Sequence, residues 1–165
     1  MSPAETIVRY WRANGIPFLR GARNGAIRAF EKRHAVDLPP DYRALLRRTN
    51  GTQVPGSYGC DDNGFWFFSV DELRIETLKG VRGIVFADYR ESCWWYALGI
   101  GGVKTPYPVL IFDGVQPILV AGSFAEFTAH YVLDSERLYR PVNHSGWHLD
   151  AFDDDVVADW RSIRS

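Results

Sequence analysis

The chain has 165 residues, 46% of them hydrophobic and 15% aromatic, with a formal net charge of −1. That length fits one domain, and that apolar fraction supports a sizeable core, which excludes an intrinsically disordered chain. A near-neutral balance argues against a nucleic-acid binder, and no run approaches the ~20 apolar residues of a membrane span. The charge is uneven: residues 1–60 hold ten Lys/Arg against four Asp/Glu, and residues 61–165 nine against sixteen. Either helices carry solvated arginines and loops carry aspartates, or the later part presents an acidic face to a basic partner. Two cysteines, Cys60 and Cys93, exclude a disulfide scaffold; one bridge is allowed but not required. Met1 to Tyr10 carries Glu5 and Arg9 and lacks the apolar core of a signal peptide, so a cytoplasmic setting is expected.

Thr6 to Ala13 reads as a short helix burying Ile7, Tyr10 and Trp11 and ended by Asn14-Gly15. Residues 18–23 read as a connector. Asn24 is expected to cap a second helix, with Ile27, Phe30 and His34 on one face. His34 sits at the edge of that stripe and is expected to be structural. The strongest local pattern is Leu38 to Gly51, LPPDYRALLRRTNG. Pro39 and Pro40 suit a first helical turn, where amides lack partners, and Asp41 opposes the helix dipole. Tyr42, Leu45, Leu46 and Thr49 form the buried stripe, and Asn50-Gly51 is the expected stop.

Gly51 to Gly64 has the punctuation of a loop, and Phe65–Phe68 that of a strand with one face in the core. Ser69-Val70-Asp71-Glu72 spells a capping box, so a short helix through Leu73 toward Leu78 is expected. Four β-rich runs follow: Ile84–Asp88, Trp94–Ile100, Val109–Phe112 and Pro117–Val120. Asp113-Gly114 between the last two is a hairpin signal. Ser123-Phe124-Ala125-Glu126 is a second capping box, opening a helix with Phe124, Phe127 and Tyr131 inward. Asp153–Asp155, then Val156, Val157, Trp160 and Ile163 with late arginines, describe a terminal amphipathic helix packed on the same domain.

The fold these signals imply is α+β: a mostly antiparallel twisted sheet of about five or six strands flanked by helices. The chemistry of an enzyme is missing from the sequence. It has no phosphate-binding loop motif, no GxSxG and no HExxH. Asp61-Asp62 lacks the spacing of a calcium loop and suits a tight turn. His144 and His148 with Asp150 approach metal-ligand spacing, but Gly146 lies between them and no third ligand is placed, so no metal and no cofactor are expected. Cys93 has Glu91, Trp94 and Trp95 nearby rather than a positive environment, so a buried or inert thiol is expected. In Trp94-Trp95-Tyr96 alternate residues face opposite ways. Trp95 is thus expected in the core and Trp94 with Tyr96 on the other face, which is either an exposed aromatic patch or one covered by helices.

LPxDYxxLL…NG after a helix ending Ala29-Phe30-Glu31-Lys32 resembles the SUKH superfamily, the Smi–Knr group. Phe67–Leu73, Ile84–Asp88, Pro108-Val109 and Ala121–Phe127 resemble its later segments in the same order. The resemblance covers roughly residues 22–133 of a single expected domain, 1–165, with helix 6–13 and extension 134–165 packed on it. It implies an α+β domain with helices before the sheet, and a non-enzymatic immunity protein that neutralises a cognate toxin, for example a nuclease. The alternatives are an intracellular scaffold or regulator, and an enzyme acting through Cys93 or His144/His148. On the immunity reading, Asp61, Asp62, Asp88 and Glu91 beside Trp94 and Tyr96 would meet a basic toxin surface, with no direct contact to nucleic acid or membrane.

Overall fold

The computed structural model describes residues 1–53, 63–101, 107–139 and 154–164. Three helices come first: α1 (Pro3–Ala13), α2 (Asn24–His34) and α3 (Pro40–Arg48). Helix α1 starts a turn earlier than its apolar stripe suggests. Ser2 and Glu5 form a reciprocal capping box, the Glu5 amide donating to the Ser2 hydroxyl and the Ser2 amide to the Glu5 carboxylate. Helix α2 lies where the periodicity puts it, but its cap is Arg23, whose side chain makes no capping bond. Asn24 instead accepts from Arg47 Nε at 2.8 Å. Helix α3 begins with Pro40 and Asp41 as its sequence dictates, and Glu31 ties it to α2 by accepting from the Leu38 amide at 2.8 Å and from the Arg43 guanidinium.

The end of α3 corrects the sequence reading. Thr49 is already extended, and Thr49–Thr52 is strand β2, paired antiparallel with β1 (Phe18–Arg20). The connector at 18–23 therefore contains a strand. Its partner lies some thirty residues on, which a local pattern cannot announce. Gly51 sits inside β2 with φ +86°, and a Cβ there would lie 2.6 Å from Phe67 O and 2.7 Å from the Phe68 carbonyl. Only glycine allows β2 to pass so close to the next strand.

The main sheet has six strands: β3 (Phe65–Phe67), β4 (Arg74–Leu78), β5 (Val81–Tyr89), β6 (Trp94–Gly99), β7 (Val109–Phe112) and β8 (Pro117–Ala121). Their order is β3-β5-β6-β7-β8, with β4 also on β5, and every pairing is antiparallel. Strand β4 replaces the helix expected after Ser69. The Ser69 amide does reach Glu72, at 2.7 Å, and the Glu72 and Leu73 amides bond Ser69 O. That makes one turn, after which Arg74–Leu78 pairs with β5 through Lys79-Gly80, both at positive φ. Such a two-residue turn matches the twist of a hairpin. Asp113-Gly114 joins β7 to β8 as expected, Asp113 Oδ1 accepting from the amides of Val115 and Gln116.

Helix α4 (Phe124–Val132) follows its Ser123 cap, and a 3-10 turn, Glu136–Leu138, comes after it. Helix α5 (Asp154–Arg164) packs against β5 with Val156 and Trp160 buried. The helical side of the sheet is an aromatic core. Phe67, Phe86, Phe124, Phe127, Tyr131 and Trp11 are all buried and in ring contact through edge and stacked pairs. A bulge between Val85 and Ala87 turns Phe86 onto this side. Trp11 Nε1 donates to the Tyr131 hydroxyl at 2.9 Å, locking α1 to α4 inside the core.

Candidate partner-binding surface

Pairing register sorts the end of the sheet into two faces. Phe65, Tyr89, Trp94 and Tyr96 lie on the helical face, where Tyr96 is in contact with Phe65 and Phe127. Trp66, Asp88 and Trp95 lie on the opposite face. Trp94 and Tyr96 do share a face, but it is the one the helices cover.

Tyr96 is accordingly a core residue and not a contact residue. It is 0% exposed, its hydroxyl donates to Leu138 O, and burial pushes its pKa well above the ordinary tyrosine value. Trp94 is half-buried and stacked on Tyr89 at 4.4 Å. Trp95, expected in the core, is half-buried on the far face.

Asp88 is a second correction. It is buried, and its carboxylate accepts from the Ser92 amide at 2.8 Å, the Ser92 hydroxyl at 2.9 Å and Trp95 Nε1 at 3.1 Å. Those bonds hold a turn in which Arg90, Glu91 and Ser92 all have positive φ (45°, 52° and 69°), a costly conformation for side chains with a Cβ. Asp88 is thus the anchor of the β5–β6 turn, and Glu91 and Cys93 stand exposed at its tip. The thiol is therefore neither buried nor bridged among the described residues. Asp61 and Asp62, like Cys60, His144, His148 and Asp150, lie outside the described residues. Among the described residues, no group of three His, Cys, Asp or Glu side chains is placed to hold a metal, and no helix is long and apolar enough to cross a membrane. His34 packs its ring on Phe30 at 4.6 Å, a structural role.

The far face holds a cluster that the one-dimensional pattern did not reveal. Arg74 of β4 lies over Trp95 at 4.8 Å and over Phe68 at 5.4 Å, and Nε donates to Glu76 at 2.9 Å. Its Nη groups make no hydrogen bond among the described residues. Trp66 packs edge-on against Phe68 at 5.2 Å and is half-buried. Arg74 reaches this position only because residues 74–78 form a strand. Read as a helix, the segment gives no reason to bring Arg74 to Trp95. A guanidinium fixed between two rings with donors still open, and flanked by half-exposed indoles, has the composition of an interface centre.

Helices ahead of an antiparallel meander, packed on one face of it, put the chain among α+β proteins whose helical layer and sheet share one core. The chain belongs to the SMI1/KNR4 family (SUKH-1), whose family model matches residues 21–130. The chain matches no curated protein. The match begins after β1 and ends inside α4. Helix α1 and helix α5 lie outside it and yet pack on the same core, through Trp11 and Trp160.

Proposed function

We propose that the protein is a non-enzymatic, single-domain immunity protein, cytoplasmic, which binds a cognate toxin and occludes its active surface. Membership of the SMI1/KNR4 family supports a role in a toxin system. The observation that carries the surface assignment is Arg74 held between Trp95 and Phe68 on the sheet face opposite α1 and α4. Trp66 and Trp95 supply the apolar area, and Trp94 borders the same end of the sheet. Glu91 on the turn, with Asp61 and Asp62, supplies negative charge toward a basic toxin. Asp88 contributes by keeping the turn in shape.

The test is co-purification from native cells, followed by expression of the captured partner alone and with this chain. A partner toxic alone and harmless in complex supports the reading. Arg74→Ala and Trp95→Ala should each weaken the complex by about 2 kcal/mol or more, as truncation at an interface centre does. Charge reversal at Glu91, Asp61 and Asp62 should slow association and flatten its salt dependence. Several substoichiometric, non-toxic partners would point to a scaffold instead.

A further inference from the structure

Away from that surface, the start of α2 and the end of α3 enclose a cleft of about 740 Å³ lined by Arg20, Gly21, Ala22, Arg23, Asn24, Arg47 and Arg48. Four arginines line it and no carboxylate does. Arg47 is oriented by Asn24 and Arg48 by Glu5 at 3.1 Å, while the side chains of Arg20 and Arg23 make no hydrogen bond or ion pair among the described residues. Glu5 offsets the charge of Arg48 from outside the cleft, but the other three guanidinium groups have no carboxylate against them among the described residues and repel one another, and an anion in the cleft removes that cost.

The walls are also fixed in advance. The Ala22 amide donates to Leu46 O at 2.7 Å, and a Cβ on Gly21 would fall 1.9 Å from Arg47 O, so the segment before α2 lies directly against the end of α3. No side chain caps α2 at Arg23, which leaves positive helix-end potential beside Asn24 in the same wall.

We propose that this cleft binds a compact, multiply charged phosphate ligand, gripped by the guanidinium groups of Arg20, Arg23, Arg47 and Arg48. Guanidinium forks match phosphate oxygens in pairs, and four of them suit an anion of more than one charge. The lining decides between sources of negative charge. It offers no aromatic ring on which a nucleobase could stack and no apolar side chain larger than Ala22 to seat a protein anchor. Recognition is therefore of the phosphates themselves. This inference concerns residues separate from the sheet surface and stands whether or not the immunity reading does.

The test is calorimetric titration of the full chain with pyrophosphate at low salt, repeated as salt is raised. Saturable 1:1 binding that weakens with salt is expected. The exposed pair Arg20→Gln/Arg23→Gln should weaken it about ten-fold or more while the melting temperature holds. Arg28→Gln/Arg33→Gln removes the same charge from exposed α2 positions outside the cleft and should stay within about two-fold of wild type. If the first pair proves unstable, Arg23→Gln alone serves, with a smaller loss in the same direction. Absence of saturable binding, or equal losses in the two pairs, overturns the proposal. So does a poly-glutamate peptide that displaces pyrophosphate at equal or lower concentration, which would make the cleft a seat for acidic protein.

Discussion

Replacing Gly51 by alanine tests the account of why the NG dipeptide follows α3. Two costs are separable. A Cβ at φ +86° pays for a left-handed conformation, about 1–2 kcal/mol. That Cβ also falls 2.6–2.7 Å from backbone atoms of Phe67 and Phe68, which cannot swing aside as a side-chain tip can. Forced overpacking of this kind costs about 1–3 kcal/mol, so the sum is about 2–5 kcal/mol, a large share of a stability of about 5–15 kcal/mol. Gly80 provides the control: its φ is +80°, and nothing lies within 4 Å of a Cβ there. Gly80→Ala should therefore show the conformational cost alone. In urea unfolding with a slope of about 2 kcal/mol/M, Gly51→Ala should lower the midpoint by about 1–2.5 M and Gly80→Ala by less than about 1 M. Equal shifts for the two variants would refute the argument from close approach.

Three further outcomes follow from the geometry. Tyr131→Phe removes the acceptor of the buried Trp11 N–H and should destabilise the protein by about 1–3 kcal/mol in urea unfolding. Asp88→Ala strips three donors of their acceptor and releases the positive-φ turn. It should cost about 1–3 kcal/mol and raise amide exchange at Arg90–Cys93, while Glu91→Ala leaves both unchanged. Hydrogen bonds from the Ser2 amide and hydroxyl, and then the charge of Arg48, hold the Glu5 carboxyl below its ordinary value of 4.5. A depressed pKa means a contribution present above the ordinary carboxylate range and lost as pH falls through the folded value. The gap in melting temperature between wild type and Glu5→Gln should therefore be open at neutral pH and close as pH falls below the ordinary carboxylate range.

Elements with a strong short-range signal were legible in the sequence. Helix α3 announces its start with Pro40-Asp41, α4 its cap with Ser123, and the β7–β8 hairpin its turn with Asp113-Gly114. Strands β1 and β4 were not, because what makes them strands is a partner elsewhere in the chain. The Ser69–Glu72 box is chemically formed, yet it closes a single turn because β5 claims the residues that follow. Ser2 and Glu5 carried the signature of a capping box and mark the true start of α1, one turn before the apolar stripe begins. For the surface, alternation correctly put Trp94 and Tyr96 together. It could not say which side the helices take, and α4 takes theirs, so Tyr96 is core and Trp95 lies half-buried on the opposite face. Arg74 could not be found at all without the β4–β5 pairing.

The bond between Trp11 and Tyr131 joins residues 120 apart, and that separation has a consequence during synthesis. From β4 to β8 each strand pairs with the one that follows it in the chain, so that part of the sheet can form as it emerges from the ribosome. The apolar stripe of α1, with Ile7, Val8 and Trp11, can pack on α3 early, but the side closed by Tyr131 has to wait for α4. At roughly 5–20 residues per second, that wait lasts roughly 6–24 s. Through that interval the side of α1 that α4 will cover stays open, and chaperones that hold exposed apolar helices should engage this protein until residue 131 is out.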